Sequence, residues 1–581
     1  MGLPTNPEIA DDLRLLGDLL ELEGASRHRV LAYRRAAARL NATAAPVAQM
    51  ALDGTAAELP DIGTTLQAKI AERAGTGRIA ALEAARGRVP EGLVAVARLP
   101  GLGPKRAVAL WQELGVQDLD TLGAAAQRGD LRSVRGLGAA TERAVLEALT
   151  NAVEPAETRW PIGRALPIAE ELAVDLAQTP GVLRVEVAGS LRRGAELVHD
   201  LDLVAATDDP RALAAAVGAH PAVASPPTGE ERILASLHAG PRLELAACPA
   251  ARFGNLLQHA TGSAAHNVRL RERARALGHS VSEHGISGPD GTAQHDDEAG
   301  VYAELGLDWI PPELREDRGE IALAERGELP SLVTRADLRG DLHVHTDWSD
   351  GADPLDAMVA AAASRGLQYV AISDHSPSLA MAGGLSVERL ARQRDAVQAA
   401  RERHPDIEIL HATEVDILAD GSLDLPDEVL AGLDWVTASV HSAFRAGPRR
   451  MTERLLRAVE HPLVDAIGHP TGRMRERRPS SEMNLPRVIE AAARTGTCLE
   501  INAQPRRLDL DATAARAALA AGARLVIGSD AHSTDAFDLI RFGVLVARRA
   551  GAGAGDIANC RTWPELRDAR AARLAAGRAR S

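Results

Sequence analysis

Cysteine and long apolar runs are scarce in this chain of 581 residues. The three cysteines, Cys248, Cys498 and Cys560, are scattered. A secreted fold held by a disulfide framework is therefore excluded, and a reducing compartment is expected. No run approaches the roughly 20 apolar residues that a membrane span requires. The opening Met-Gly-Leu-Pro also lacks the basic and apolar parts of a secretory leader. We expect a cytoplasmic protein with no membrane segment.

Lysine is scarcer still, since only Lys69 and Lys105 occur, and acidic residues outnumber basic ones to give a formal net charge of −14. This charge excludes a surface of uniformly positive potential. It does not exclude nucleic acid, because backbone amides and local arginine clusters also hold phosphates. Because single hydrophobic cores stop growing at about 250 to 300 residues, a chain of this length should contain several domains.

Seven short apolar runs in about the last 240 residues each end in a polar side chain of the kind that binds metal. Ala-, Arg- and Leu-rich stretches of helical length separate the runs. The pattern predicts repeated β-α units closing into a barrel, an α/β fold whose strand ends share one mouth. The candidate metal ligands are His343, His345, Asp350, His375, Glu414, His441, His469, Asp530 and His532.

The spacing of these ligands indicates a cluster of ions rather than a single ion. Residues i and i+2 of a strand project to one face, so His343 pairs with His345, and Asp530 pairs with His532. Imidazole and carboxylate without thiolate suit zinc, manganese or iron. Two or three ions, Mn²⁺ or Zn²⁺, would use all nine ligands and generate a hydroxide nucleophile for phosphoryl chemistry. Asn502 and Asp374 are expected to support the ligands. Any one of these histidines alone is more often structural; the interpretation depends on the set.

The region before about residue 151 has helical periodicity, interrupted by three glycine-containing turns that each precede a helix. Such turns free backbone N–H groups that can hold a DNA phosphate. The alternative is an ordinary helix-turn-helix connection. The presence of three such turns in one helical region favours the phosphate-binding interpretation over this alternative. The candidate DNA-binding residues are Gly63, Gly101, Gly103, Lys105, Gly136 and Gly138.

The composition becomes β-rich near residue 183. Asp200 and Asp202 share a strand face, and a carboxylate pair of this kind can hold Mg²⁺. The preceding turn offers Gly189, Ser190 and Arg193 to the phosphates of a nucleotide. The alternative is an edge strand with solvated acids.

These motifs resemble three known elements. The order His-x-His, Ser-Asp-His, Thr-Glu, Val-His-Ser, Gly-His-Pro-Thr-Gly-Arg and Ser-Asp-Ala-His, over about residues 338 to 575, is similar to the polymerase-and-histidinol-phosphatase (PHP) domain, a distorted seven-stranded phosphoesterase barrel. The amino-terminal turns resemble helix-hairpin-helix elements. The middle segment resembles the nucleotidyltransferase palm of family X DNA polymerases, with Thr261-Gly-Ser, Glu283-His-Gly and Pro311-Pro-Glu-Leu-Arg following in order. The order of parts is that of bacterial and archaeal PolX.

The resemblance implies a multidomain fold with mixed α+β and α/β classes. It implies a helical lyase-like domain at 1–85, a fingers-like helical domain at 86–152, a palm at 153–255, a thumb at 256–312, a linker at 313–337 and the barrel at 338–581. It also implies nucleotide-binding roles for Gly262, Ser263 and Asn267, and places Lys69 where some family members carry a Schiff-base lysine. Only an amine can form an imine, although a lysine that contacts phosphate is the simpler reading.

Four departures from the family pattern lie in the palm. Glu244 stands where the family has a third catalytic Asp, His199 and Ala246 replace the usual Gly and Arg, and His259-Ala260 replaces an aromatic pair. One extra methylene displaces the carboxylate by about 1 to 1.5 Å, which can cost on the order of 100-fold in a preorganised site. We expect weakened polymerase activity beside an intact phosphoesterase.

The function predicted from the sequence is therefore DNA repair. The barrel would remove nucleotides or phosphates from the 3′ ends of gapped or nicked duplexes, with Arg473 and Arg507 holding the phosphate and dNTP as a possible palm ligand. Two alternatives remain open: a small-molecule phosphatase like histidinol phosphatase, and a non-catalytic adaptor that binds DNA ends.

Overall fold

A computed structural model describes residues 3–43, 45–99, 101–150, 159–475 and 477–578. The chain divides into two compact units. The first comprises Met1–Trp160, Arg164–Ala188 and Leu197–Leu256, and the second comprises Pro161–Gly163, Gly189–Glu196 and Leu257–Ser581. The predicted boundary between residues 152 and 153 lies outside the described residues.

The amino-terminal part of the first unit is helical, as the periodicity predicted. Its first helix begins at a capping box, in which the backbone N–H of Thr5 donates to the Glu8 carboxylate at 2.6 Å. One hydrophobic core, running from Ile9 to Val145, includes buried side chains from both predicted helical domains. The helices are α1 (Asn6–Leu22), α2 (Arg27–Ala42), α3 (Val47–Leu52), α4 (Thr64–Thr76), α5 (Ala80–Arg86), α6 (Leu93–Arg98), α7 (Gly103–Leu114), α8 (Leu119–Arg128) and α9 (Ala139–Thr150).

The palm segment of the first unit contains a four-stranded sheet. Its strands lie in the order β2 (Val182–Val187), β4 (Asp200–Thr207), β6 (Arg242–Cys248) and β5 (Arg232–Ser236). β4 and β6 are parallel, and Asp202 lies directly opposite Glu244 in their register. Alternate residues of β4, such as Leu201 and Leu203, are buried, so the carboxylates between them project from the other face. The elements from β1 to α12 are β1 (Trp160–Pro161), α10 (Ile162–Leu176), β2 (Val182–Val187), α11 (Gly189–Arg192), β3 (Leu197–Val198), β4 (Asp200–Thr207) and α12 (Pro210–Ala219). β5 (Arg232–Ser236) and β6 (Arg242–Cys248) follow.

The main segment of the second unit, from Leu257 onward, opens with helices and a small antiparallel sheet around a core that includes Leu270, Tyr302 and Ile310. The segment predicted as a linker contains α16 (Glu320–Arg326), and Ala324 of that helix is buried in the same core. Arg315 is fully buried, so this segment is packed rather than extended. The elements are α13 (Phe253–Thr261), α14 (Ala264–Ala276), β7 (Ser280–Ser282), β8 (Gly285–Gly288), β9 (Gly291–Ala293), α15 (Glu298–Glu304) and α16 (Glu320–Arg326).

Seven parallel strands follow in sequence order and form a nearly closed barrel, which confirms the predicted α/β fold. A parallel bridge between Val344 and Ala531 joins the first strand to the segment that follows the last. The strands are buried on both sides, as their continuous apolar sequences require. They are β10 (Gly340–Val344), β11 (Tyr369–Ile372), β12 (Glu408–Asp416), β13 (Trp435–Ser439), β14 (Ala466–Ile467), β15 (Cys498–Asn502) and β16 (Leu525–Gly528).

The helices of this region lie between the strands and after the last one. They are α17 (Leu355–Ser364), α18 (Val387–Arg403), α19 (Asp427–Leu430), α20 (Pro448–Glu460), α21 (Leu485–Thr495), α22 (Ala512–Ala520), α23 (Ile540–Ala550) and α24 (Trp563–Arg578). Within the described ranges, no helix is long and apolar enough to cross a membrane.

Candidate active sites

The structure brings the nine predicted barrel ligands together at the carboxyl ends of the strands. Eight of them form three groups whose ligand atoms lie within 4.8 Å of one another. The groups are His345, Asp350, His375 and His532; then His343, His345 and Asp530; and finally His375, Glu414 and His441. The ninth, His469, places its Nε2 atom 2.9 Å from Oε1 of Glu414.

Two histidines connect these groups. His345 belongs to the first and second groups, and His375 belongs to the first and third. Both ring nitrogens of His345 and Nδ1 of His375 are buried and lack a hydrogen bond of regular geometry to a described residue, although Asp530 lies 3.3 Å from Nε2 of His345 and Glu414 lies 2.9 Å from Nδ1 of His375. Buried imidazole nitrogens left in this state are costly unless something else binds them. Three overlapping groups of nitrogen and carboxylate ligands could hold up to three metal ions.

Glu414 and His345 are held in the forms that bind metal, whereas nearby carboxylates outweigh burial and raise the pKa of His441 and of His532 to about 9, so a metal would have to displace their protons. Burial alone would raise the pKa of Glu414, but His441 and His343 outweigh it and keep the pKa well below its ordinary value. Burial lowers the pKa of His345 to about 3, with the neighbouring His532 and His375 adding to the effect, so its imidazole is neutral. Ionised carboxylate and neutral imidazole are the ligating forms.

The ligands are oriented by a second set of buried polar residues. Of the two predicted supporting residues, Asn502 donates to Asp530 at 3.1 Å, whereas Asp374 accepts the backbone N–H of Thr346, the residue after His345, at 2.9 Å. Glu500 was missed by the sequence reasoning. Its Oε1 lies 2.6 Å from Nδ1 of His343, and Oε2 accepts the backbone N–H of His469 at 2.6 Å.

Asp416 was also missed, and its Oδ1 lies 3.0 Å from Nδ1 of His441. Both acids carry a period-two signal that could have found them. Asp416 is two residues beyond Glu414, and Glu500 is two residues before Asn502, so each pair shares a strand face.

The two predicted phosphate-binding arginines occupy different surroundings. The Arg507 Nε atom lies 3.7 Å from Oδ2 of Asp530, is buried and makes no hydrogen bond to the described residues. Arg473 instead donates to Glu196 at 2.8 Å and also contacts the carbonyl oxygen of Leu508. The geometry thus brings Arg507 to the ligand cluster and gives Arg473 other partners.

In the palm, Asp200, Asp202 and Glu244 form a fourth group of ligand atoms within 4.8 Å of one another. This group could hold a metal ion. Glu244 also lies 2.7 Å from Nε of Arg232, whose side chain is 74% exposed. The longer side chain therefore reaches the other two carboxylates while paired with a cation.

Three of the predicted nucleotide-binding residues of the second unit, Arg193, Ser263 and Asn267, make local hydrogen bonds. Arg193 donates to the carbonyl oxygen of Thr261 at 2.8 Å and pairs with Glu316 at 3.1 Å. Ser263 caps α14, and Asn267 donates to the carbonyl oxygen of His259 at 2.8 Å. Gly189 begins α11, which also contains Ser190, and Gly262 separates Thr261 from Ser263.

The three amino-terminal turns have the same local geometry. The backbone N–H groups of Ile62, Leu102 and Leu137 each donate to the carbonyl oxygen three residues earlier, at 3.2, 3.1 and 3.0 Å. The preceding residues, Asp61, Gly101 and Gly136, have φ values of 66°, 84° and 87°. Asp61 thus adopts the left-handed conformation that glycine supplies in the other two turns, as Asp can.

Each of these turns leads into a helix start, at Gly63 for α4, at Gly103 for α7 and at Gly138 for α9. The two lysines lie on the helices that follow the first two turns. Lys69 is half-buried on α4, and Lys105 is exposed on α7.

Comparison with known proteins identifies the class of three parts of the chain. A helix-hairpin-helix domain model matches residues 4–79, a DNA polymerase beta thumb model matches 256–316, and a PHP domain model matches 341–504. The chain therefore has the parts of a polymerase of family X joined to a PHP barrel.

Among relatives, the chain is similar to the DNA polymerase/3′-5′ exonuclease PolX of Bacillus subtilis, with 36% identity over 566 residues, covering 96% of this chain and 98% of the relative. Probable phosphatases of Caldanaerobacter subterraneus and of a Thermoanaerobacter species are 33% and 30% identical over 213 residues. These matches cover 35% of this chain and 78% and 81% of the relatives. The chain belongs to the PolX family.

Proposed function

We propose that this PolX protein removes nucleotides from DNA 3′ ends at the barrel site, which would hold two or three Mn²⁺ or Zn²⁺ ions. The observation that carries the proposal is the set of three overlapping ligand groups, which share His345 and His375. Two ions held close together in such groups would suit in-line displacement at a phosphodiester.

When bound, such ions lower the pKa of water and stabilise charge on the phosphoryl oxygens. The chain supplies the rest of the site. Glu500 and Asn502 would fix the orientations of His343 and Asp530, to which they hydrogen-bond, and Asp374 would hold the backbone that follows His345 at Thr346. Arg507 would hold a non-bridging oxygen of the scissile phosphate, since its buried Nε makes no hydrogen bond to the described residues.

The palm would bind Mg²⁺ through Asp200, Asp202 and Glu244 and accept a dNTP at Gly189, Ser190, Arg193, Gly262, Ser263 and Asn267. Nucleotide transfer would be slow, because Glu244 replaces the family's Asp and is paired with Arg232. The helix-hairpin-helix turns would hold the backbone of gapped or nicked DNA through their N–H groups and Lys105. The domain boundaries predicted above and a cytoplasmic location belong to the same proposal.

The decisive experiment follows a gapped duplex labelled internally on the strand that carries the 3′ end, with Mn²⁺ and no nucleotides. Wild type is compared with His343→Ala. We expect wild type to shorten the strand progressively from its 3′ end. The variant should react at least about 1000-fold more slowly, because it lacks one of the side chains that would hold the catalytic metal.

The two competing functions give different results in the same assay. A small-molecule phosphatase would leave the DNA intact while hydrolysing p-nitrophenyl phosphate. An adaptor would turn over neither substrate but would still shift the duplex in a gel. Either result contradicts the proposed exonuclease.

Lys69 is proposed to form an imine with the 5′-deoxyribose phosphate of an incised abasic site. It lies half-buried on α4, the helix that follows the first turn proposed to bind DNA. Borohydride trapping compares wild type with Lys69→Ala and Lys69→Arg. Both variants should fail to trap, since neither has a primary amine. Equal trapping by all three proteins would exclude Lys69 as the nucleophile.

A further inference from the structure

A second cavity lies at the opposite end of the barrel from the ligand cluster. Its volume is about 1090 Å³, which is large enough for a small organic ligand. Trp435 and Cys498 begin two of the strands, and Asp465 and Arg524 directly precede two others. Because these residues stand at the amino ends of parallel strands, the cavity is separate from the site at the carboxyl ends.

Five arginines and four carboxylates line this cavity, so the arginines are in excess by one. Arg570 donates to both oxygens of Asp465 at 2.9 Å, and Arg573 contacts the same carboxylate. One buried carboxylate thus faces two guanidinium groups. Arg494, at the rim, has its own partner in Glu460 at 2.7 Å.

Two further arginines line the cavity without a carboxylate partner. Neither Arg524 nor Arg561 has an ion pair within 4.0 Å in the part of the chain that the structure describes. The Nη1 atom of Arg524 and the Nη2 atom of Arg570 are buried and make no hydrogen bond with those residues. Buried guanidinium donors left unsatisfied are costly, and an anion with several oxygens would satisfy them.

The remaining wall is mixed, since Asp427, Glu428 and His461 also line it. Its partly exposed apolar side chains are Leu463, in the loop after α20, and Leu574 of α24, whereas Val459, Trp435 and Leu566 are almost fully buried. A small inorganic anion would leave the two exposed leucines unused. A ligand that combines a polyphosphate with a flat organic ring would contact both the arginines and these leucines.

We propose that the cavity at the amino ends of the barrel strands binds a nucleoside polyphosphate, with the phosphates at Arg524, Arg561 and Arg570 and the base against Leu463 and Leu574. This site is independent of the proposed exonuclease, because none of these residues belongs to the ligand cluster.

Isothermal titration of the full chain with ADP, in buffer containing EDTA, tests the site. The chelator prevents ADP from binding through metal ions at the barrel mouth or in the palm. We expect one ADP per chain, binding at least tenfold weaker to Arg524→Gln/Arg561→Gln and within twofold of wild type to Arg494→Gln, whose charge is already paired at the rim. The lysine pair Arg524→Lys/Arg561→Lys should recover part of the affinity, since it keeps the charges.

Three results would overturn the assignment: no binding of ADP to wild type at millimolar concentration, equal affinities for wild type and the glutamine double variant, or pyrophosphate binding as tightly as ADP. The last result would mean that the apolar side chains contribute nothing. Circular dichroism melts check that the variants are folded. Should the double variant melt early, Arg561→Gln alone carries the test with an expected loss of at least threefold.

Discussion

At the scale of single residues, Glu244 stands where the family resemblance implies a third palm Asp. Glu244 reaches the group formed by Asp200 and Asp202 but also pairs with Arg232. Shortening it should restore the spacing that the family uses. We predict that Glu244→Asp speeds single-nucleotide gap filling with Mg²⁺ by about 10- to 100-fold, since a displacement of about 1 Å can cost that much.

The matched control for this prediction is Arg232→Gln, which removes the pairing cation and keeps the longer acid. A rate increase for Arg232→Gln but not for Glu244→Asp would assign the defect to the ion pair. If neither variant is faster, the position of the third carboxylate does not limit transfer.

Glu500 illustrates a residue that acts through another side chain. Its carboxylate is 2% exposed and holds the imidazole of His343 by Nδ1 at 2.6 Å. We predict that Glu500→Gln weakens metal binding at the barrel by about 10- to 100-fold, the usual cost of losing such a partner. The metal content of each protein after dialysis against increasing concentrations of chelator measures this loss of affinity. Glu408→Gln, at the exposed start of β12, should bind metal like wild type, and a similar loss there would indicate a general effect of charge.

At the scale of elements, α15 is anchored by one buried carboxylate. Glu298 accepts from Arg192 through both oxygens at 2.9 Å and from the fully buried Arg315 at 2.5 Å. Replacing this carboxylate leaves two guanidinium groups without a counter-charge. We predict that Glu298→Gln lowers the free energy of unfolding by about 3 to 5 kcal/mol, measured by urea denaturation, whereas Glu304→Gln at the exposed end of the same helix changes it by less than about 0.5 kcal/mol.

The same ion pair makes a prediction about acid stability. Burial raises the pKa of Glu298, but Arg315 and Arg192 outweigh it and lower the pKa to about 2, from 4.5. Because the folded-state pKa is the lower one, the stabilisation is complete above about pH 4.5 and is lost as the pH falls toward 2. The difference in unfolding free energy between wild type and Glu298→Gln should therefore shrink over that window. A constant difference would mean that Glu298 does not titrate there.

At the scale of the whole molecule, the palm carboxylates and the barrel ligands belong to different compact units. Chemistry at one site therefore does not require ligands from the other. We predict that Asp202→Asn abolishes primer extension and leaves 3′-end removal within about twofold of wild type, and that His345→Ala does the reverse. Both reactions are followed on one gapped duplex, with and without dNTPs.

The double variant Asp202→Asn/His345→Ala serves as the control and should lack both activities while still binding the duplex. A tenfold loss of 3′-end removal in Asp202→Asn would show instead that the two sites are coupled.

The sequence alone determined the barrel, and it predicted the nine candidate ligands and the pair Asp200 and Asp202 that the structure brings together, because strand periodicity and strand ends are local features of a chain. It also predicted the three hairpin turns. The family resemblance identified the palm and its departure at Glu244. A period of two could have revealed Glu500 and Asp416 as well.

Only the tertiary structure showed which ligand groups share His345 and His375. It also showed that Arg507, rather than Arg473, lies at the ligand cluster. In the first hairpin turn, it showed that Asp61 adopts the left-handed conformation typical of glycine. It also decided that the predicted linker is packed and that unpaired arginines line a cavity beneath the barrel. These facts depend on distances between residues far apart in the chain. Such distances are set by how helices and strands pack, which no local pattern of residues specifies.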